Sequence, residues 1–419
     1  MPSLVLTIPT GYSYAAVILL FGAIAHSVCL PIDYRRQHEI CGLVKIVIFS
    51  FLLYAMFWIG DAAIRGDGPS DFDRPSRFII AAFCLTVFTR TQINAKWLWM
   101  GLGFGTIGAG GVAVWQWLID GVSRASGFAP TNKFGLIAIT MTLMCVSGLI
   151  WASASFHSKR LKISISFLLI AGMFSGLIAA MLSGSRGAWL ALLPSTFIYL
   201  LLVLRMLNTK QIFLTSGGLV IFAAFLFYIL PVGNITDRLN TVGTQLNSYI
   251  EGDFSGGSVG YRLEMWKGAS FLFIERPFIG WGELGYSLKM EELEDKEVLQ
   301  QGTASYTHAH NDWFNTLAKK GITGAFILLA VYLTPGLFFT QRAVRAAKGD
   351  TFDTSTFALA IAGIVFILSF MSGGIAQVTF NRNIGVMFYG FMVAALVGIL
   401  ANGASATEKA ICKNAEGTR

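Results

Sequence analysis

The residues best suited to chemistry lie in the stretch 303–321, which reads TASYTHAHNDWFNTLAKKG and holds two of the chain's five histidines, His308 and His310. Polar residues that suit a helix start follow directly, and apolar residues then recur at helical spacing. We therefore expect His310 at or just before a helix N-terminus. The partial positive charge there disfavours further positive charge, so the imidazole is kept neutral and able to accept a proton. The alternative is that both histidines are ordinary surface residues of a loop.

The composition of the 419-residue chain excludes a soluble globular protein. Hydrophobic residues make up 54% and charged residues only 13%, whereas soluble domains carry about 25% charged residues. The formal net charge of +8 does not indicate nucleic acid, because the basic residues cluster in short loops between apolar runs, as they do where they set membrane topology. The five cysteines are scattered without a CxxC pair, so we expect neither a structural disulfide nor a zinc site.

Apolar runs of membrane-spanning length recur along the chain and predict an all-α polytopic membrane protein of about 11–12 transmembrane helices, with one long, partly helical periplasmic loop. Residues 2–10 are a partial twelfth element. We expect N-terminal transmembrane helices over 1–231, a large periplasmic loop carrying part of the active site over 232–312, C-terminal transmembrane helices over 313–404 and a cytoplasmic tail over 405–419. The apolar runs are 12–30, 43–60, 78–90, 97–118, 134–153, 163–183, 189–204, 211–231, 321–340, 356–379 and 384–402.

The basic loops on one side of the predicted spans should be cytoplasmic, and the alternate loops then face outward: 61–77, 119–133, 184–188, 232–312 and 380–383. The fourth of these holds amphipathic segments near Ile235–Tyr249 and Tyr261–Phe273, which predict a small helical lobe. Its acidic run 291–297 is typical of a solvated helix face. The glycine-rich stretch 101–111 lies in a span, where small residues allow close helix packing.

Several basic residues break the orientation rule, and two arginines among them stand at informative places on the outward side. The residues that break it are Arg65, Arg74, Arg77, Arg124, Lys133, Arg186, Arg262 and Arg382. Arg186 lies in SGSRGAW between two apolar runs, and Arg262 lies in SVGYRLEMW within the long loop. A guanidinium held at such a place suits a phosphate or pyrophosphate, because its fork of donors matches the phosphate oxygens. The alternatives are that Arg186 contacts lipid headgroups and that Arg262 pairs with Glu264 or another acid of the loop.

Three motifs together carry a family resemblance: SGSRGAW between two spans, GYRLEMWKGASFLFIERPFIGWG in the long loop, and HAHNDWFNTLAKKGITG leading into the next span. In this combination the chain resembles the O-antigen ligase family, whose superfamily also holds O-antigen polymerases and bacterial O-linked oligosaccharyltransferases. The family's His-Asn pair falls on His310 and Asn311, so the resemblance implies that His310 is the catalytic histidine. It also implies that Arg186 and Arg262 are the two arginines that handle phosphate.

The resemblance further implies an inverting, metal-independent glycosyltransferase of the bacterial inner membrane with its active site on the periplasmic face. The donor would be a glycan on undecaprenyl pyrophosphate, and the acceptor a sugar hydroxyl of lipid A–core. Membrane lipids would surround the chain, and no cofactor is needed, because two arginines can stabilise the charge that grows on the leaving pyrophosphate. A metal held by His308 and His310 is the alternative, although two residues apart is a poor spacing for a helix that includes both.

Further polar residues of the predicted outer mouth are candidates for substrate binding, and each is alternatively an interfacial anchor. The aromatic residues Tyr306, Trp266 and Trp313 are candidates to line a sugar or isoprenoid site. The substrate-binding candidates are Arg74, Arg77, Arg124, Asn132, His308, Asn311 and Arg382.

Three other functions stay open from the sequence. Polymerisation of the same repeat units, or their transfer to a protein hydroxyl, differs from ligation only in the acceptor, which the sequence barely specifies. A transporter of lipid-linked sugars would place ionisable residues or broken helices near the bilayer midplane. Here the predicted spans are nearly free of charge, which favours an enzyme. The sequence leaves the oligomeric state unknown.

Overall fold

A computed structural model of the chain describes residues 1–29, 40–156, 158–206, 243–245, 247, 249, 257–348 and 352–402. The chain divides into two compact units. The first, which we name the bundle, comprises Met1–Pro194 and Ile322–Arg419, and the second, which we name the lobe, comprises Ser195–Gly321.

Regular secondary structure in the described part of the chain is helical, as predicted for an all-α membrane protein. Eight of the described helices, α1, α2, α4, α5, α6, α11, α12 and α13, are long and apolar enough to cross a membrane. Each predicted apolar run within the described residues overlaps a helix, and the run 189–204 is divided between α7 and α8. The run 211–231 lies outside the described residues. In chain order the helices are α1 Gly11–Cys29, α2 Gly42–Arg65, α3 Pro69–Phe88, α4 Ala95–Leu118, α5 Thr131–Ser155, α6 Lys159–Leu182, α7 Arg186–Leu190, α8 Leu192–Met206, α9 Ser258–Glu275, α10 Gly282–Asp295, α11 Asp312–Lys348, α12 Thr354–Ala376 and α13 Asn383–Asn402.

The first predicted outer loop, 61–77, is wrong in extent. α2 continues to Arg65 and α3 begins at Pro69, so only residues 66–68 connect the two helices. Proline at the first helical position and Asp71 in the first turn both favour a helix start there. The first two turns of α3 are polar, and for that reason hydropathy alone placed the start of this helix too late. Arg74 and Arg77 are therefore helical residues.

The bundle packs its helices closely where the sequence supplies small residues. A methyl group added at Gly172 of α6 would lie 3.1 Å from the Cα of Gly103 in α4, which confirms the close packing expected of the glycine-rich stretch. The segment 2–10 forms turns rather than a helix. It nevertheless buries Val5 and Leu6, so it belongs to the folded bundle.

From residue 257 onward, the lobe is built from α9, α10, the connection 296–311 and the start of α11; it also includes α8 from Ser195. Its core consists of the buried residues Met265, Ala269, Leu272, Tyr286, Met290, Leu299, Ala309 and Ala318. The helix α9 confirms that the segment predicted at Tyr261–Phe273 is helical. The segment predicted at Ile235–Tyr249 lies mostly outside the described residues.

Two glycines join the α9–α10 turn to the start of α11. Gly280 and Gly321 have φ of +61° and +64°, values that favour glycine. A methyl group at Gly280 would lie 2.4 Å from the carbonyl carbon of Lys319, and one at Gly321 would lie 2.3 Å from that of Phe278. The backbones therefore touch here, and α11 changes direction at Gly321.

Candidate active site

The polar residues after the histidines start a helix, as predicted. The Asn311 side-chain oxygen accepts hydrogen bonds from the backbone N–H groups of Trp313, at 2.8 Å, and Phe314, at 3.2 Å. This is the pattern of an N-cap residue, which satisfies N–H groups that lack a partner within the helix. α11 begins at Asp312, so the helix includes neither histidine and His310 stands just before it.

The turn that carries the histidines, residues 307–310, is held in an uncommon backbone conformation. His310 has φ of +50°, a left-handed value that few residues other than glycine adopt and that costs about 1–3 kcal/mol. Its backbone N–H donates to Nδ1 of His308 at 3.4 Å, and the two imidazole rings lie 4.3 Å apart. We name this segment the histidine turn.

Side chains from two helices hold the residue between the histidines. The backbone N–H of Ala309 donates to the side-chain oxygen of Asn315 at 3.4 Å, and its carbonyl accepts from the indole N–H of Trp266 at 2.9 Å. The Trp266 ring also stacks on Phe314, with 5.3 Å between ring centroids. Trp266 therefore stabilises the histidine turn. The sequence had suggested only that this residue could line a sugar or isoprenoid site.

A buried lysine forms a further support that the sequence reasoning missed. Lys319 is only 3% exposed, and its ammonium donates to the carbonyl oxygen of Thr307 at 2.7 Å and to the carboxylate of Glu283. The ammonium also lies 4.8 Å from the ring centre of Tyr286, and burial raises the pKa of that phenol. The available signal was a lysine pair, Lys319–Lys320, placed directly before an apolar run.

A row of aromatic rings links the start of α9 to His310. The Tyr261 and Tyr306 ring centroids lie 5.6 Å apart, and those of Tyr306 and His310 lie 5.8 Å apart. Arg262 follows Tyr261 directly and its side chain is half-buried. The lobe thus carries both Arg262 and His310. The Tyr306 ring contacts His310 and also Tyr261, the residue before Arg262.

Two carboxylates of the lobe accept hydrogen bonds from its connecting segments. The buried carboxylate of Glu264 accepts from the hydroxyl of Tyr249 at 2.6 Å and from the backbone N–H of Gln300 at 2.8 Å. Burial and this hydrogen bond raise the pKa of Tyr249 to about 12. Glu294 accepts from the backbone N–H groups of Gly302 and Ala304. The acidic run 291–297 is therefore only partly the solvated face expected of it, because Glu294 fixes the loop that leads to the histidines.

In the bundle, Arg124 and Asn132 lie together against the SGSR motif. Arg124 donates to the carbonyl oxygens of Ser183 and Gly184, at 3.0 and 3.4 Å, and to the side-chain oxygen of Asn132 at 3.3 Å. The backbone turns sharply here, with Gly184 at φ +58°. Two residues later Arg186 opens the short helix α7. Arg124 thus stabilises the turn that directly precedes α7.

The start of α5 is tied to the connection between α12 and α13. Lys133 is 5% exposed and donates to the carbonyl oxygen of Val378. The side chain of Gln377 donates to the carbonyl oxygen of Asn132 at 3.4 Å. This connection therefore lies at the same end of the bundle as the SGSR turn.

The remaining candidates have contacts of different kinds. Arg74 pairs with Asp71 at 3.1 Å, and Arg77 pairs with Asp73. Asp73 also accepts from Asn383 at 2.8 Å. Arg382, the residue before Asn383, is exposed. Among the residues that the structure describes, no three His, Cys, Asp or Glu side chains are grouped so as to hold a metal ion.

The candidate residues thus fall into two sets. The bundle carries Arg74, Arg77, Arg124, Asn132, Arg186 and Arg382, and the lobe carries Arg262, His308, His310 and Asn311. A joint role for Arg186, Arg262 and His310 stays a prediction.

Comparison with known proteins agrees with the resemblance carried by the motifs. The chain is 26% identical over 386 residues to an uncharacterized protein of Haemophilus influenzae, an alignment that covers 92% of each chain. Residues 171–329, which include all three motifs, match the sequence model of the family described as O-antigen ligase. Residues 171–329 of this helical membrane protein are therefore similar to the O-antigen ligase family.

Proposed function

We propose that this protein is an O-antigen ligase, which transfers a glycan from undecaprenyl pyrophosphate to a sugar hydroxyl of lipid A–core at the periplasmic face of the bacterial inner membrane. The family match over residues 171–329 supports a membrane enzyme that acts on a lipid-linked glycan. The donor, the acceptor and the side of the membrane are parts of the proposal.

The observation that carries the proposal is the strained, supported conformation of His310. A left-handed histidine at φ +50° persists only where its surroundings hold it, and such strain is concentrated at functional sites. Here Lys319 donates to the carbonyl oxygen of Thr307, and Trp266 donates to that of Ala309. The backbone N–H of His310 itself donates to His308. These hydrogen bonds fix an imidazole beside a helix N-terminus, where a neutral base is favoured.

In the proposed reaction, His310 takes the proton of the acceptor hydroxyl as its oxygen attacks the anomeric carbon. The new carbon–oxygen bond forms as the bond from that carbon to the pyrophosphate breaks. The electron pair of the broken bond passes to the pyrophosphate oxygen. One displacement inverts the anomeric centre.

Arg186 and Arg262 are proposed to bind the pyrophosphate and stabilise the charge that develops on it. A guanidinium binds two phosphate oxygens at once, which an ammonium cannot do in the same geometry. Arg124 supports this role indirectly, because it holds the Ser183–Gly184 turn through its carbonyl oxygens.

Reconstitution tests the reaction. Purified protein in liposomes is given O-antigen on undecaprenyl pyrophosphate together with lipid A–core, and the product size is followed on a gel. A single transfer onto lipid A–core is the expected result. A growing ladder on undecaprenyl pyrophosphate would replace the proposal with a polymerase.

Cysteine labelling in intact cells tests the orientation. A cysteine at exposed Gln301 of the lobe should react with a membrane-impermeant maleimide, and one at exposed Lys348, at the end of α11, should not. Labelling of position 348 from outside would overturn the periplasmic assignment of the site.

A further inference from the structure

The lobe exposes a group of large apolar side chains at the end of α9 and in the turn after it. Phe271, Ile274, Phe278 and Ile279 are 41%, 73%, 70% and 57% exposed. We name this group the apolar tip. On the opposite face of the same helix, Met265, Ala269 and Leu272 fill the core of the lobe, so α9 is apolar on both faces near its end. Packing in the core of the lobe covers only one of these faces.

The apolar tip lies next to the point where α11 becomes a membrane span. The carbonyl group of Phe278 touches the backbone of Gly321, where an added methyl group would lie 2.3 Å away. Directly after Gly321, α11 continues as the apolar run that makes it a candidate span. Phe278 therefore contacts the residue that directly precedes this apolar run.

The residues beside the tip have the chemistry of a membrane interface. The guanidinium carbon of Arg276 lies 3.8 Å from the ring centre of Trp281, and the Lys289 ammonium lies 4.8 Å from it. Tryptophan is enriched at the headgroup level of bilayers, and basic side chains there reach toward lipid phosphates. One exposed acid, Glu275, lies beside Ile274 at the end of α9, whereas the exposed acids Glu291, Asp295 and Glu297 lie toward the far end of α10 and just beyond it.

We propose that the apolar tip inserts into the lipid surface, with its side chains at the boundary between headgroups and acyl chains. Amphipathic segments of this kind bury their apolar face about 5–10 Å into that boundary. The apolar tip thus contacts the same bilayer in which the chain itself is embedded. The lobe is then held against the membrane at the turn that touches α11, independently of any glycan.

Spin-label accessibility tests the proposal on the full chain. The five native cysteines are replaced by alanine, and single cysteines are introduced as Phe278→Cys and Ile274→Cys. Glu291→Cys and Gln301→Cys serve as matched controls, because both are exposed polar positions of the lobe. Each variant is labelled with a nitroxide and reconstituted in liposomes of phosphatidylethanolamine and phosphatidylglycerol. Collisions with oxygen, which partitions into lipid, and with a water-soluble nickel chelate are then measured.

The expected result is an oxygen-to-nickel collision ratio several-fold higher at positions 278 and 274 than at 291 and 301. Equal ratios at all four positions would overturn the proposal. Dipolar broadening at position 278 that disappears on dilution with unlabelled protein would also overturn it, because a second copy of the chain would then cover the tip. The measurement needs no substrate, so its outcome is independent of the proposed glycan transfer.

Discussion

Replacing Lys319 by methionine should loosen the histidine turn while leaving the fold of the lobe intact. Methionine fills a similar volume but has no donor for the carbonyl oxygen of Thr307 or the carboxylate of Glu283, both of which Lys319 binds. A hydrogen bond to a charged group contributes about 1.5–3 kcal/mol. Glu283 is 31% exposed at its side chain and can regain water, so we expect a loss of about 2 kcal/mol, within the range for one such bond.

Hydrogen exchange measures this loss directly. If the turn opens locally, 2 kcal/mol corresponds to about 30-fold faster amide exchange. Mass spectrometry of peptides covering residues 307–315 in the full chain should show this acceleration, and peptides from α13 should show none. Lys296→Met is the matched control, because Lys296 is 63% exposed and forms its ion pair with Glu292, which is itself partly exposed. Unchanged exchange over 307–310 in Lys319→Met would refute the supporting role of this lysine.

The remaining predictions concern the proposed chemistry. His310→Ala should lower the transfer rate about 10²- to 10⁴-fold while donor binding persists, and His308→Ala should be far milder; a dead His308→Ala beside an active His310→Ala would assign the base to the other ring. The wild-type rate should fall as the pH drops through the range in which imidazole binds a proton, because a protonated base cannot accept another, and it should survive EDTA. Arg186→Lys and Arg262→Lys should each have much lower transfer activity than the wild type, because lysine cannot bind two phosphate oxygens in the same geometry. Full activity of either variant in the gel assay would show that the arginine there acts only through its charge. Asn311→Ala should cost about 1 kcal/mol through the lost cap, whereas Asn311→Asp should keep thermal stability; equal melting temperatures would contradict the capping role.

The sequence predicted the helices of this protein far better than the contacts of its candidate site. A membrane span is a local signal, since one stretch of apolar residues suffices to identify it. That signal fails where a helix begins with polar turns, as α3 does at Arg74 and Arg77. The N-cap at Asn311 was also predictable, because a cap bonds to N–H groups two and three residues ahead.

The supports of the histidine turn could not be predicted in this way. Trp266 bonds to Ala309, 43 residues away along the chain, and Lys319 bonds to Glu283, 36 residues away. Neither spacing follows from a helical or strand period. Such partners meet only when α9, α10 and the start of α11 pack together, and a single sequence carries no mark of which pairs will meet.

The hydrogen bond between the two histidines also fixes what each ring can offer a ligand. Because Nδ1 of His308 accepts the N–H of His310, the hydrogen of a neutral His308 ring must sit on Nε2. His308 then carries no lone pair for a proton from the acceptor, and its Nε2 is a donor. In the proposed reaction, His308 would donate a hydrogen bond to a sugar oxygen while His310 takes up the proton. If His310 is the base, as proposed, the HAH motif would combine a hydrogen-bond donor and a proton acceptor within three residues, and one backbone N–H would assign the donor role to His308.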